Sequence, residues 1–170
     1  MGNTVSPFTI IRVSPTLDTS AYADNDVFFN ATEIPDAVRG AGGCSKLLGI
    51  TILNEDDAEH DHDLVFMEVQ KNLGTINSAV GSGSLWTNAL AKAAGVLGVV
   101  GIDWSDGSVD LVNNLVYSTQ FGQGHFDEPS CIHLQATSGS TSVYFAGVSR
   151  AGTPTTAADD YEYAFHIQYL

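Results

Sequence analysis

Tyr161-Glu162-Tyr163-Ala164-Phe165-His166-Ile167-Gln168-Tyr169 is the stretch that decides the fold class. Aromatic and aliphatic residues occupy every odd position and smaller or polar ones every even position, so one face of an extended strand is greasy and the other is wet. Thr141 to Ser149 reads as a strand apolar on both faces, and Cys131 to Ala136 alternates Ile132 and Leu134 with His133 and Gln135. Ser138-Gly139-Ser140 lies between them and predicts a hairpin, which makes a C-terminal antiparallel meander the expectation.

The same short runs recur upstream at Phe8 to Val13, Val27 to Ile34, Leu47 to Leu53 and Leu64 to Val69, then at Val96 to Ile102 and Val109 to Tyr117. Turn residues separate them, among them Asp24-Asn25-Asp26, Gly40-Ala41-Gly42-Gly43 and Asp103-Trp104-Ser105-Asp106-Gly107. One interval breaks the rhythm. From Ser84 to Ala94, Trp86, Leu90 and Ala93 recur at helical spacing, with Ser84 as N-cap and Gly95 as stop, so a short helix in a crossover is expected. The pattern predicts an all-β, jelly-roll-like β-sandwich of about eight strands with that one helix; a closed barrel is the alternative. The 170 residues fit one domain spanning 1–170, with an N-terminal arm at 1–7.

Charge narrows the partners. Twenty Asp and Glu against six Lys and Arg give a net charge of −14 and a pI near 4.3, while charged residues are only 15% of the chain and hydrophobic ones 44%. Scarce cations, not abundant charge, make the chain acidic, and its field repels nucleic acid and anionic membranes. The opening Met1-Gly2-Asn3-Thr4-Val5-Ser6 has no basic and apolar signal regions, and its loose match to a myristoylation pattern lacks a second membrane signal. Synthesis in a cytoplasm is expected. Cys44 and Cys131 read as partly buried free thiols.

Motifs for chemistry are sparse. Glu55-Asp56-Asp57-Ala58-Glu59-His60-Asp61-His62-Asp63 puts His60 and His62 on one side of an extended segment and Glu59, Asp61 and Asp63 on the other. The two histidines are the candidate metal ligands, but no downstream His or Cys pair completes a ligand set, and a solvated acidic loop is the simpler reading. Protonation of these histidines near their ordinary pKa of about 6.5 is expected to ease repulsion in that loop. Asp24-Asn25-Asp26 and the Asp103 turn resemble calcium loops only loosely and read as Asx turns. Gly81-Ser82-Gly83-Ser84 has the wrong spacing for a nucleophile elbow, and Gly122-Gln123-Gly124 lacks the third glycine of a dinucleotide fingerprint. His125 near Asp127 and Glu128 has no oxyanion donors or pocket to work with. No catalytic residue and no cofactor are assigned.

Four segments taken together carry a resemblance: Ser14 to Val27 (SPTLDTSAYADNDV), Asp63-Leu64-Val65-Phe66, Leu97 to Ile102 (LGVVGI) and Ser142 to Thr155 (SVYFAGVSRAGTPT). They resemble a group of tailed-bacteriophage head structural proteins, the capsid decoration or cement proteins. That resemblance implies a β-sandwich bound to the outside of the phage head, with the major capsid protein as partner and the chain itself as a homotrimer. It implies residence on the outer capsid surface of the virion after synthesis in the host cytoplasm. It also implies a structural role, without enzymatic activity, at capsomer junctions. The acidic loop at 55–63 and the stretch from Gly122 to Pro129 depart from the group's pattern. Val5, Pro7 and Phe8 are the expected partner contacts, through addition of a strand to a neighbouring sheet; an ordinary first strand within the chain's own sheet is the competing expectation. The alternative function is a virion appendage or glycan-binding module in which Trp104, Tyr117 and Phe121 stack on sugar rings.

Overall fold

The computed structural model describes residues 7–56, 58–84, 86–111, 114–120, 131–150 and 157–170. Among the described residues, ten strands form two antiparallel sheets. In chain order they are β1 (Phe8–Val13), β2 (Val27–Ile34), β3 (Cys44–Asn54), β4 (His62–Met67), β5 (Val96–Ile102), β6 (Ser108–Asp110), β7 (Leu115–Gln120), β8 (Ile132–Gln135), β9 (Val143–Ser149) and β10 (Tyr161–Tyr169). The larger sheet runs β1-β10-β3-β7-β6, with β8 also paired to β3; the smaller runs β2-β9-β4-β5. Strands β1 to β4 therefore alternate between the two layers, as in a jelly roll.

The decisive stretch lies at the heart of the larger sheet. β10 is hydrogen-bonded to β1 on one side and β3 on the other. Its odd residues Tyr161, Tyr163, Phe165 and Ile167 are buried against Phe29, Phe66, Phe145 and their neighbours. Ring contacts such as Phe145 to Phe165 at 4.8 Å, edge to face, knit the two layers together. β9 is apolar on both faces because both are covered. Val143 and Phe145 face the inter-sheet core, while Ala146, with Tyr144 and Val148 beside it, joins a second cluster containing Met67, Leu73, Ala94 and Trp86. The cover over that outer face comes from the excursion between β4 and β5.

Several expectations change. The last three strands are not a meander: β8 and β10 belong to the larger sheet and β9 to the smaller, so the Ser138–Ser140 turn passes between layers. Val109 to Tyr117 is not one strand but the β6–β7 hairpin, in which Ser108 pairs with Tyr117. Helix α1 spans Asn88–Ala94 and is capped by Thr87, whose side chain accepts from the Leu90 N–H, so Ser84 is not its cap. Gly95 ends it as expected, in the left-handed region at φ 61°. Nor is α1 in a crossover, because β4 and β5 are adjacent antiparallel partners. The split of Val109 to Tyr117 into β6 and β7 raises the strand count to ten, and two short strands, β8 and β7, divide the length of β3 between Cys44–Leu47 and Gly49–Asn54.

Candidate functional site

Two regions stand out, one inside and one on the margin. Inside, the acidic segment is not simply a solvated loop. The period of two that runs through β4 continues backward, so His60, His62, Leu64 and Phe66 share one parity and all are buried. His60 is 1% exposed and His62 fully buried. The His60 ring stacks on Phe28 at 4.2 Å and meets Tyr22 edge-on at 5.8 Å. His62 lies 5.7 Å from His60 and about equally far from Tyr161 and Tyr163, at 6.0 and 5.9 Å.

Hydrogen bonding fixes the state of His62. Its Nδ1 lies 2.6 Å from the His60 carbonyl oxygen, which can only accept, so Nδ1 carries the proton. Nε2 is then the acceptor for the Tyr163 hydroxyl at 2.9 Å. Both ring nitrogens of His60 lack a partner, as do the nearby Trp104 Nε1 and Tyr161 hydroxyl. Burial pushes the His60 pKa down to about 4 and the His62 pKa down to about 3, and it raises the Tyr22 hydroxyl to about 12. Both histidines are thus neutral where the sequence reading expected ordinary titration. They are also poor metal ligands: both nitrogens of His62 are engaged, and among the described residues no three His, Cys, Asp or Glu side chains come together.

The carboxylates of the segment do other work. The Asp61 side chain accepts from the Trp104 N–H at 2.9 Å, and its carbonyl accepts from the Arg150 N–H at 3.0 Å. Asp63 pairs with the Arg150 guanidinium at 2.5 Å. Among the described residues Asp26 is the one buried carboxylate, accepting from the Ala23 N–H at 2.8 Å, and the Asp103 side chain accepts from the Ser105 N–H at 3.0 Å. The Asp103 bond, to the N–H two residues on, is the expected Asx turn, whereas the Asp26 side chain reaches three residues back. The Ser105 hydrogen bonds hold the Asp103 carboxyl below its usual range.

On the margin, β1 is the edge strand of the larger sheet. Ile11 and Val13 pack on the core, while Phe8 and Ile10, 55% and 49% exposed, face outward. The rest of that outer face is mixed: Arg12 pairs with Glu162 at 3.1 Å, and Thr51 lies 3.1 Å from His166 and 3.4 Å from Ser118, while Ala164, Leu53, Val116 and Val109 share its parity. Further exposed apolar residues mark other edges, Val96 and Val99 on β5 and Val109 on β6, with Leu111 just beyond it.

Of the expected partner contacts, Phe8 is exposed on this edge, and the carbonyl of Pro7, itself exposed, accepts from the Tyr169 N–H at 2.8 Å. Val5 lies outside the described residues. The segment after Pro7 thus forms the first strand of its own sheet. The aromatic platform does not exist as expected: Trp104 is fully buried and Tyr117 nearly so, 5.6 Å apart within the core, and Phe121 lies outside the described residues, as do His125, Asp127 and Glu128. Cys44 is exposed rather than partly buried, Cys131 is half-buried, and both are free thiols. No protein-family model matches this chain, and no curated protein matches it.

Proposed function

We propose that this chain is a structural virion protein, a capsid decoration protein that binds the outside of a phage head through strand addition and apolar contact at its sheet edges. The observation that carries the reading is edge strand β1, which presents Phe8 and Ile10 outward, 55% and 49% exposed. A partner strand, such as one from the major capsid protein, would extend the sheet at that edge and cover the outward Ile10 side chain. Apolar residues on unlike edges, Phe8 and Ile10 on β1 against Val96 and Val99 on β5, suit head-to-tail contacts that close into a ring, as a homotrimer requires. Three of the four segments that carry the resemblance supply β4, β5 and β9, three successive neighbours in the smaller sheet. The glycan-binding alternative is weaker because Trp104 and Tyr117 are buried.

Co-sedimentation with undecorated capsids, together with native mass spectrometry, tests the proposal. Saturable binding and a small oligomer are expected, weakened by Phe8→Asp with Ile10→Asp and by deletion of residues 1–7. Absence of shell binding combined with capture on a glycan array would overturn it in favour of an appendage.

A further inference from the structure

We propose that the buried His60–His62 pair makes the β3–β4 connection acid-releasable, so that protonation expels residues 58–61 from the sandwich while the sheets remain paired. The inference is independent of the role proposed above.

The geometry provides no home for the added charge. His60 sits between the faces and edges of Phe28 and Tyr22 with neither nitrogen hydrogen-bonded. A second proton on either ring therefore creates a buried cation without a counter-ion. The groups facing the pair from each packed element offer little relief. Tyr161 and Tyr163 come from β10, and Tyr22 from the β1–β2 connection; burial raises all three hydroxyls far above the range in which they ionise. From the end of β9, Arg150 contributes a like charge, which acts on His62. The carboxylates alongside are committed elsewhere: Asp63 to Arg150 and Asp61 to the Trp104 N–H, with Asp103 held by Ser105. The two histidines also repel each other once charged, across 5.7 Å between rings.

The attachments on the segment make local release feasible. It is held by single hydrogen bonds, such as Asn54 Nδ2 to the Ala58 carbonyl at 2.8 Å, Asp61 to the Trp104 N–H and the Arg150 N–H to the Asp61 carbonyl. β4 itself is paired on both sides along its length, to β5 and β9. Opening is thus confined to the stretch ahead of His62, and His62 is its hinge. The sign follows from the proton balance. Released His60 titrates near 6.5 and enclosed His60 near 4, so the open state binds more protons and gains as pH falls below 6.5.

Hydrogen exchange read by mass spectrometry on the intact chain, corrected for intrinsic rates, tests this at pH 7.5, 6 and 5. The opening constant of 58–61 is expected to rise about 30-fold by pH 5 as His60 becomes exposed, because pH 5 lies 1.5 units below 6.5. Protection of β3 and β9 should remain above that of the segment throughout. His60→Gln should remove His60's part of the acid dependence, and in the wild-type chain the imidazole carbon shifts should report neutral His60 in the closed state at pH 6, a reading that does not require the variant to fold. The proposal is overturned if 58–61 loses protection only together with β3 and β9, if His60→Gln keeps the full pH slope, or if His60 is charged in the closed state at pH 6.

Discussion

Gly147→Ala is a sharp test of the packing. Gly147 lies on β9 opposite Phe29 of β2 and Leu64 of β4. A Cβ there would stand 2.5 Å from Phe29 Cε1, 2.8 Å from Cδ1 and 3.0 Å from Cζ, so the ring face, not a flexible tip, blocks it. The ring has nowhere to go: Phe28, Phe145 and Tyr163 surround it at 5.6, 5.1 and 5.5 Å. Forcing a methyl into such a site costs about 1–3 kcal/mol, and loss of unfolded-state freedom returns about 0.4–1 kcal/mol. The expected net destabilisation is centred on about 1.3 kcal/mol, a Tm lower by roughly 3–5 °C for a chain of this size. Urea unfolding followed by circular dichroism measures it. Gly107→Ala, with nothing within 4 Å and an extended φ of 172°, is the control and should be neutral. Phe29→Leu should relieve the clash, so the two substitutions together should cost less than their separate costs combined, by at least about 0.5 kcal/mol. A Gly147→Ala chain as stable as the wild type, or strictly additive costs, would refute the reasoning.

Two tyrosines on the same strand face should respond oppositely to the same change. Tyr163→Phe leaves His62 Nε2 buried without its donor and should cost about 1–3 kcal/mol, whereas Tyr161→Phe removes an unpartnered buried hydroxyl and should be neutral or slightly stabilising; thermal melts at pH 7.5 compare them. Thr87→Ala should cost about 1 kcal/mol through the lost cap of α1, read as a lower urea midpoint. Asp63→Asn, which breaks a partly exposed ion pair with Arg150, should cost under about 1 kcal/mol, and the difference should shrink in high salt. Thiol labelling should modify Cys44 faster than Cys131 in the native protein, and a non-reducing gel should show no internal disulfide.

Alternation was readable because it is local. The odd residues of β10 and the double-sided apolarity of β9 follow from burial on one face or two, and both are visible residue by residue. Partner choice is not local: a period of two says which face a side chain takes but not which sheet the strand enters, so Ser138-Gly139-Ser140 reads as a hairpin while joining two layers. The histidines were obscured by their acidic neighbours. The signal was there in the parity that joins His60 and His62 to Leu64 and Phe66, but charge density outweighed it. Buried Trp104 and Tyr117 were misplaced for a related reason, since polar turn residues around Trp104 conceal a ring that points inward. The exposed edge at Phe8 and Ile10 depends on β1 lying outermost, which only the assembled sheet defines.

The seat of β10 between β1 and β3 also governs how the chain is made. Among the described residues, β1 finds its sheet partner in β10, about 150 residues later in synthesis. Until Tyr161–Tyr169 leaves the ribosome, β1 and one side of β3 lack the strand that pairs them, and the inward aromatics of the smaller sheet, Phe29, Phe66 and Phe145, lack their cover from β10. Nascent chains are therefore exposed to mispairing until Tyr161–Tyr169 emerges, and a premature stop shortly before Tyr161 would release an aggregation-prone fragment rather than a smaller folded protein.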